Sequence, residues 1–319
     1  MITKFSIRNF KVYDSIEIKP LERFNLISGK NNVGKTSLLE AIFLHEGAHN
    51  AGLALMVEKF RGITTFDNAD FLNELFTKFK TQEDILLEAD YSDGNYLLLR
   101  IRQEAINKST AVDIGNVELQ GTASLTPKIV FRGEASGGKV CDSQFFVGTD
   151  PKGVPRPMSS PIKQALRPSA IFVSNGISKE EKNRINAERF SKQVIKKKKD
   201  KIIEALKIID SRLVNLELSM RGNENFVCGD IGYAKMLPLS LMGEGMDRYL
   251  SLVLSILTAE NGIVLIDEIE NGFYHSICPN IWKNLAKLAR EHNVQIVAST
   301  HSYECIKSAH ESFRQDETY

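Results

Sequence analysis

The sequence predicts an α/β fold in which a parallel core sheet covered by helices is joined to an antiparallel sheet region and carries a helical insert. Three observations predict it. Strand and helix patterns alternate over the last third of the chain, the arrangement that a parallel sheet with helical crossovers requires. Between residue 46 and about residue 174 the pattern breaks instead into short strand-like runs separated by turn-rich stretches, as an antiparallel region would. From residue 178 to about 213 turn residues are scarce, and Ile202, Ala205, Leu206, Ile209 and Leu213 recur at helical spacing.

Each element has its own reason. Residues 2–8 alternate apolar and polar, and residues 24–28 form a short apolar run that ends in glycine, as a central strand feeding a loop would. A helix is predicted from 35 to about 46. Residues 85–89 and 96–101 read as strands, with turns at 134–139 and 150–161. The 178–213 segment is one long helix or a helical pair. Two more strand-like runs precede a helix at 245–257, a strand at 262–267, a helix at 275–292, a strand at 294–300 and a helix from 303. The expected organisation is one discontinuous domain, residues 1–177 and 213–319, with the insert at 178–212.

Composition narrows the functional classes. At 319 residues, 42% hydrophobic and 25% charged, the chain is long and apolar enough to bury a core, which argues against wholesale disorder. Forty-one basic residues against 40 acidic ones leave a net charge of +1, so attraction to nucleic acid or membrane must be local. Cys141, Cys228, Cys278 and Cys305 contain no C-x-x-C pair, which suggests neither a disulfide framework nor a zinc knuckle. With no apolar leader and no stretch of about 18 apolar residues, a cytoplasmic protein with no membrane partner is expected.

The strongest chemical signal is Gly29-Lys30-Asn31-Asn32-Val33-Gly34-Lys35-Thr36, which fits G-x-x-x-x-G-K-[ST] between a predicted strand and a predicted helix. Glycines let the backbone wrap a phosphate chain so that successive N–H groups and the helix N-terminus face the anion. Lys35 would reach the β- and γ-phosphates of ATP, and the Thr36 hydroxyl would ligate Mg2+. Gly29, Asn31, Asn32, Gly34, Lys35, Thr36 and Ser37 are the candidate nucleotide-binding residues here.

Downstream, Ile263-Val264-Leu265-Ile266 runs into Asp267-Glu268. Two carboxylates at the carboxyl end of a buried parallel strand emerge where open α/β sheets bind ligands. Asp267 is then placed to hold the magnesium shell, and Glu268 to orient or deprotonate the attacking water. A third apolar strand ends in Ser299-Thr300-His301-Ser302, so His301 would stand beside the carboxylates and report on the γ-phosphate. The other five histidines read as surface or packing residues.

These motifs, with Asn9-Phe10-Lys11 and the Leu265-Ile266-Asp267-Glu268-Ile269-Glu270-Asn271-Gly272 run, resemble the ABC-type ATPases of the RecF, SMC and OLD group, above all the stand-alone OLD-like bacterial AAA proteins. The likeness covers roughly residues 1–45 and 235–310. It implies a P-loop NTPase with an ABC-type ATPase head that dimerises around ATP, Glu270-Asn271-Gly272 being the loop that meets the partner subunit. Leu239-Ser240-Leu241-Met242-Gly243-Glu244-Gly245 stands where the family's signature segment falls. It departs from the family pattern: Gly243 aligns with the usual serine unless Ser240 serves instead, while Gly245 at a helix start still offers backbone N–H groups to a γ-phosphate in trans. The glutamine that usually completes such sites is unmarked among Gln82, Gln103, Gln120, Gln144 and Gln164.

Lys192, Lys196, Lys197, Lys198, Lys199 and Lys201 form a basic cluster that reads as a solvated helix face or as a contact for DNA or an acidic partner, with no aromatic residues interleaved to stack bases. The resemblance implies a Mg-dependent ATP hydrolase, a homodimer or higher oligomer, that regulates a separate effector, a nuclease or toxin, in defence against phage or mobile DNA. A RecF- or SMC-like DNA repair or maintenance ATPase and a non-hydrolysing ATP-gated scaffold are the alternatives.

Overall fold

The computed structural model describes residues 1–63, 70–106, 126–149, 155–160, 170–222 and 224–314. In chain order they form β1 (Ile2–Phe10), β2 (Tyr13–Ile18), β3 (Phe24–Ser28), α1 (Lys35–Glu46), α2 (Leu53–Phe60), β4 (Ile85–Tyr91), β5 (Tyr96–Ile106), β6 (Thr126–Ala135), β7 (Lys139–Thr149), β8 (Pro155–Ser159) and β9 (Ile171–Val173). There follow α3 (Lys179–Ile195), α4 (Lys199–Leu206), β10 (Asn215–Arg221), β11 (Glu224–Asp230), β12 (Leu237–Pro238), α5 (Glu244–Thr258), β13 (Ile263–Ile266), α6 (Cys278–Glu291), β14 (Gln295–Thr300) and α7 (Tyr303–Phe313). The chain divides into two compact units, residues 1–21 with 32–170, and residues 22–31 with 171–319.

The first unit is built on a seven-stranded sheet of order β2-β1-β4-β5-β6-β7-β8, antiparallel throughout. Its strands alternate: Ile85, Leu87, Ala89 and Tyr91 on β4, and Leu97, Leu99 and Ile101 on β5, are buried, as one covered sheet face requires. Against them lies α1, buried from Ser37 to Glu46. The short helix α2 stands where only strands and turns were expected. Its eight residues offer too few turns for helical periodicity to separate from alternation, and Ala54, Val57 and Glu58 form its buried side.

The second unit holds a four-stranded parallel sheet of order β3-β14-β13-β9, with a small antiparallel sheet of order β10-β11-β12. Every residue of β13 and β14 is buried, the mark of a parallel sheet covered on both faces. The covering comes from α5, α6 and α7, whose Tyr249, Leu252, Val253, Trp282, Leu285 and Ala309 join Val264, Ile266, Ile296 and Ala298 in one core. Helix α6 begins at Cys278, after a 3-10 turn at His275–Ile277. Pro279 explains the late start, since a residue without an N–H fits only the first helical turn.

The insert is a helical pair. Lys197 takes a left-handed φ of 57°, the Lys198 N–H donates to Gln193 O at 2.9 Å and the Lys197 N–H to Val194 O at 2.9 Å. That is the Schellman closure of a helix, here with lysine where glycine is usual, so no sequence signal announces the break. On its inner side α3 docks along α5 through polar groups: Lys182 Nζ to Asp247 Oδ2 (2.5 Å), Asn186 to Ser251 Oγ (2.8 Å) and Arg189 to Ser255 Oγ (2.8 Å).

Candidate nucleotide-hydrolysis site

Sheet register assembles the site. Thr300 of β14 pairs with Ser28 of β3, and Ala298 with Ile266 of β13, all parallel. Gly29, His301 and Asp267 each follow the end of one of these strands, so the three parallel strands deliver the start of the glycine loop, the histidine and the acid pair to the same edge of one sheet. Open α/β sheets use that edge for ligands. Of the predicted residues, Gly29 and Asn31 lie in the second unit with Asp267, Glu268 and His301, while the loop continues through Asn32, Gly34, Lys35, Thr36 and Ser37 in the first.

The loop has the backbone that phosphate wrapping needs. Asn32 (φ 61°) and Gly34 (φ 102°) are both left-handed, and α1 starts at Lys35 with Gly34 as its N-cap. Gly34 cannot carry a side chain: an added Cβ would lie 2.5 Å from Val12 Cγ2 and 2.8 Å from the Tyr13 hydroxyl, which itself donates to Gly34 O at 3.0 Å.

Neutral donors bond to both acids. Asp267 Oδ1 accepts from Ser299 Oγ at 2.6 Å, and the same hydroxyl accepts the Glu268 N–H at 2.9 Å. Ser299 is fully buried, so this one side chain sets both acids. Glu268 sits at φ 48°, a left-handed conformation costly for a side chain of this kind and kept only where surroundings over-determine it. Those surroundings are explicit: Arg248 Nη2 donates to Asp267 O at 2.7 Å, Asn271 Nδ2 donates to Glu268 Oε2 at 2.7 Å, and Asn175 Nδ2 donates to the same oxygen at 3.1 Å. Burial lowers the Arg248 guanidinium to about 10 against the opposing pull of Asp267, Glu268, Glu244 and Glu270, so it stays cationic at neutral pH.

His301 is oriented by Glu270. The Glu270 Oε1 atom accepts the His301 backbone N–H at 3.0 Å and stands 3.3 Å from His301 Nδ1, with Glu268 Oε1 at 3.9 Å from the same nitrogen. Ser302 beside it caps α7, accepting from the Cys305 N–H at 3.2 Å.

In the signature segment, Gly243 (φ 124°) is the N-cap of α5 and Ser240 lines a cavity of about 390 Å³ together with Asn175, Lys179, Glu244 and Arg248. Gly245 has a reason of its own within the subunit. A Cβ there would lie 2.6 Å from Gly272 O, so the first turn of α5 and the loop after β13 touch backbone to backbone. Glu244 and Asp247 occupy that first turn, and Asp247 is spoken for by Lys182.

The family model described as AAA ATPase domain matches residues 1–215 and 158–306. The chain belongs to the AAA ATPase domain family. It is 22% identical to a Helicobacter pylori protein named ATP/GTP phosphatase, over 99% of this chain and 89% of that one. A segment of 43 residues, 14% of the chain and 12% of the relative, is 51% identical to the DNA replication and repair protein RecF of Nitrosococcus oceani. Among solved structures, an Smc head bound to the C-winged helix domain of ScpA superposes with a TM-score of 0.51 at 14% identity, covering 97% of this chain and 91% of that one. The ATPase thus has the ABC-type P-loop head fold.

Sequence reasoning passed over three residues that organise this ATPase's acid pair. Ser299 and Arg248 lie inside segments singled out for other members, and Asn175 follows a three-residue strand with no motif at all. Of the five glutamines, Gln120 and Gln164 lie outside the described residues, and Gln103 bonds Asn73 at 2.7 Å. The lysine cluster is largely neutralised, with Lys192 on Glu188 (2.6 Å), Lys199 on Glu217 (2.7 Å), Lys201 on Glu291 (3.3 Å) and Lys198 near Glu260 (3.8 Å). No helix among the described residues is long and apolar enough to cross a membrane.

Proposed function

We propose that this ATPase takes Mg-ATP on its glycine loop and couples hydrolysis to closure of a nucleotide-sandwich homodimer, or of a higher oligomer built from it. The observation that carries the reading is the delivery of Gly29, His301 and the Asp267 and Glu268 carboxylates to one edge of the parallel sheet. In this reading the backbone of Gly29, Asn31, Asn32, Gly34 and Ser37 wraps the phosphates and Lys35 pairs with the β- and γ-phosphates. The Thr36 hydroxyl and Asp267 carboxylate would hold magnesium, a donor set of hard oxygens that suits that ion. Among the described residues no group of three or more His, Cys, Asp or Glu could hold a metal ion, and an ion held partly by substrate phosphates needs none. When bound, magnesium neutralises charge on the transferring phosphoryl group. Glu268 orients the attacking water and His301 reports on the γ-phosphate. Ser240 in the turn before α5, its N-cap Gly243 and Gly245 in its first turn would face the nucleotide held by the partner subunit. The name of the Helicobacter pylori relative supports hydrolysis of a nucleoside triphosphate at a phosphoanhydride bond and makes GTP the second substrate to assay.

The switch would act on a separate effector, a nuclease or toxin, in defence against phage or mobile DNA, a role supported by the motif likeness to the OLD-like group. The RecF segment favours a second reading, DNA repair or maintenance. It requires DNA binding that weakens steeply with salt, and the paired lysines leave Lys196 and Lys197 as the main cations of the cluster for it.

Sedimentation with and without Mg-ATP tests the sandwich. Glu268→Gln keeps the shape of the side chain while removing the carboxylate, so it should trap ATP and accumulate a dimer. Ser240→Arg should bind nucleotide and stay monomeric. A monomeric Glu268→Gln at saturating ATP, or an oligomer indifferent to nucleotide in both variants, contradicts ATP-driven closure.

A further inference from the structure

Two amides grip one oxygen of Glu268, and they come from different places. Asn271 lies three residues further along the same turn, where its backbone N–H also donates to Glu268 O at 3.1 Å. Asn175 follows the end of β9, 93 residues away in sequence, and its Nδ2 stands 3.1 Å from Glu268 Oε2 and 3.5 Å from Asp267 O. Backbone pairing fixes where it stands: Val173 pairs with Ile266, and the Asp267 N–H donates to Val173 O at 3.0 Å. Its side chain is exposed, so packing does not demand an amide there. With Oε2 occupied twice, the remaining oxygen, Oε1, is the one turned toward His301 Nδ1.

From this geometry we infer that Asn175 is a positioning residue for hydrolysis: it holds Glu268 by Oε2 so that Oε1 is presented to the attacking water. The inference rests on the reading of Glu268 as the group that handles that water. An Asn amide suits the task because it donates to a carboxylate without cancelling its charge, whereas a lysine or arginine would compete with the water's proton for the same negative charge. Asn175 also links the site to the insert. Only Gly176 and Ile177 separate it from Ser178, the N-cap of α3, whose Oγ accepts the Glu181 N–H at 3.2 Å, and α3 is bound to α5 by Lys182, Asn186 and Arg189. The side chain that steadies Glu268 is therefore carried on a short tether from the helix pair that includes the signature helix.

The test is steady-state ATP hydrolysis by the full chain and by Asn175→Ala, Asn175→Gln, Glu268→Gln and the Asn175→Ala/Glu268→Gln double variant, with binding of a fluorescent ATP analogue and thermal melts on each. Misplacing a catalytic group by a fraction of an ångström to an ångström costs on the order of 10- to 100-fold, so Asn175→Ala should lose about 10-fold in kcat with KM within about 2-fold of the parent. Asn175→Gln, which keeps the amide on a longer stem, should recover part of the loss. The double variant should be no slower than Glu268→Gln alone, because groups that act as a unit are not additive. A merely structural role would lower the melting temperature and add to the Glu268→Gln defect. Asn175→Ala at parental kcat beside an inactive Glu268→Gln overturns the role of Asn175 alone. A parent without turnover, or a Glu268→Gln variant as active as the parent, overturns the reading of Glu268 and this inference with it.

Discussion

Each unit holds a pair of acidic side chains beside a functional segment, buried in the first and partly exposed in the second, and the two pairs are treated in opposite ways. In the first unit Glu40, fully buried on α1, takes Arg61 through both oxygens (2.7 and 2.9 Å) and Lys11 at 3.0 Å, while Lys11 also reaches the buried Glu58 at 3.1 Å. Two anions meet two cations, and no charge is left over. In the second unit Asp267 takes a serine hydroxyl and Glu268 takes two asparagine amides, while the nearby guanidinium of Arg248 is spent on backbone carbonyls. Cationic partners cancel a buried acid such as Glu40 and turn it into scaffolding, whereas neutral amides fix the partly exposed Glu268 and leave its charge for chemistry.

This contrast can be broken at either end. The largest stability effect is expected at Glu40→Ala, since removing one partner of a buried ion cluster costs about 3–5 kcal/mol. The loss should fall at the lower end because Lys11 keeps Glu58 and Arg61 is partly exposed, and a denaturant titration measures it. Lys35→Ala should leave the melt unchanged and weaken ATP binding by about 1.5–3 kcal/mol, the worth of charge-assisted hydrogen bonds, as read by calorimetry. Ser299→Ala should cost about 1–3 kcal/mol, because the Glu268 N–H loses its buried acceptor, and should slow turnover as well, joining the two readouts that Glu40 and Lys35 keep apart.

A pH effect comes next in size. Burial lowers both His49 and His292 below the ordinary histidine value of 6.5, with Lys198 and Lys201 adding to the shift at His292 against Glu260 and Glu291. A histidine depressed in the folded state takes up its proton more readily when unfolded. Its contribution is therefore complete above 6.5 and is lost as pH falls below that value through the folded pKa. Melting temperature should decline on that acidic side, and less so in His292→Asn. The smallest effect is expected at Lys196→Glu with Lys197→Glu, exposed changes that should move stability by no more than about 0.5 kcal/mol.

Much of the site was legible because local patterns carry it. The apolar run of β3, the glycines after it and α1 form one continuous signal, and the acids after β13 and the histidine after β14 each end a buried strand. The family likeness ordered them. What stayed hidden depends on pairings across long stretches of chain. Asn175 matters only because β9 lies beside β13, and Arg248 only because α5 brings it to the Asp267 carbonyl. The lysine cluster looked like a basic face because its acids, Glu217, Glu260 and Glu291, lie far away in sequence. Gly245 read as a phosphate contact also answers to the Gly272 carbonyl, which no spacing rule reveals.

The central claim is that the way an acid is held distinguishes chemistry from scaffolding, and paired isosteric variants test it most directly. Phosphate release and thermal unfolding should be measured on Glu268→Gln and Glu40→Gln side by side with the parent. General-base catalysis is worth about 100-fold or more, so Glu268→Gln should lose at least about that factor in turnover while melting with the parent. Glu40→Gln should melt several degrees lower and, below its transition, bind ATP as the parent does. Parental turnover in Glu268→Gln, or a lowered melting temperature there with none in Glu40→Gln, would contradict the account.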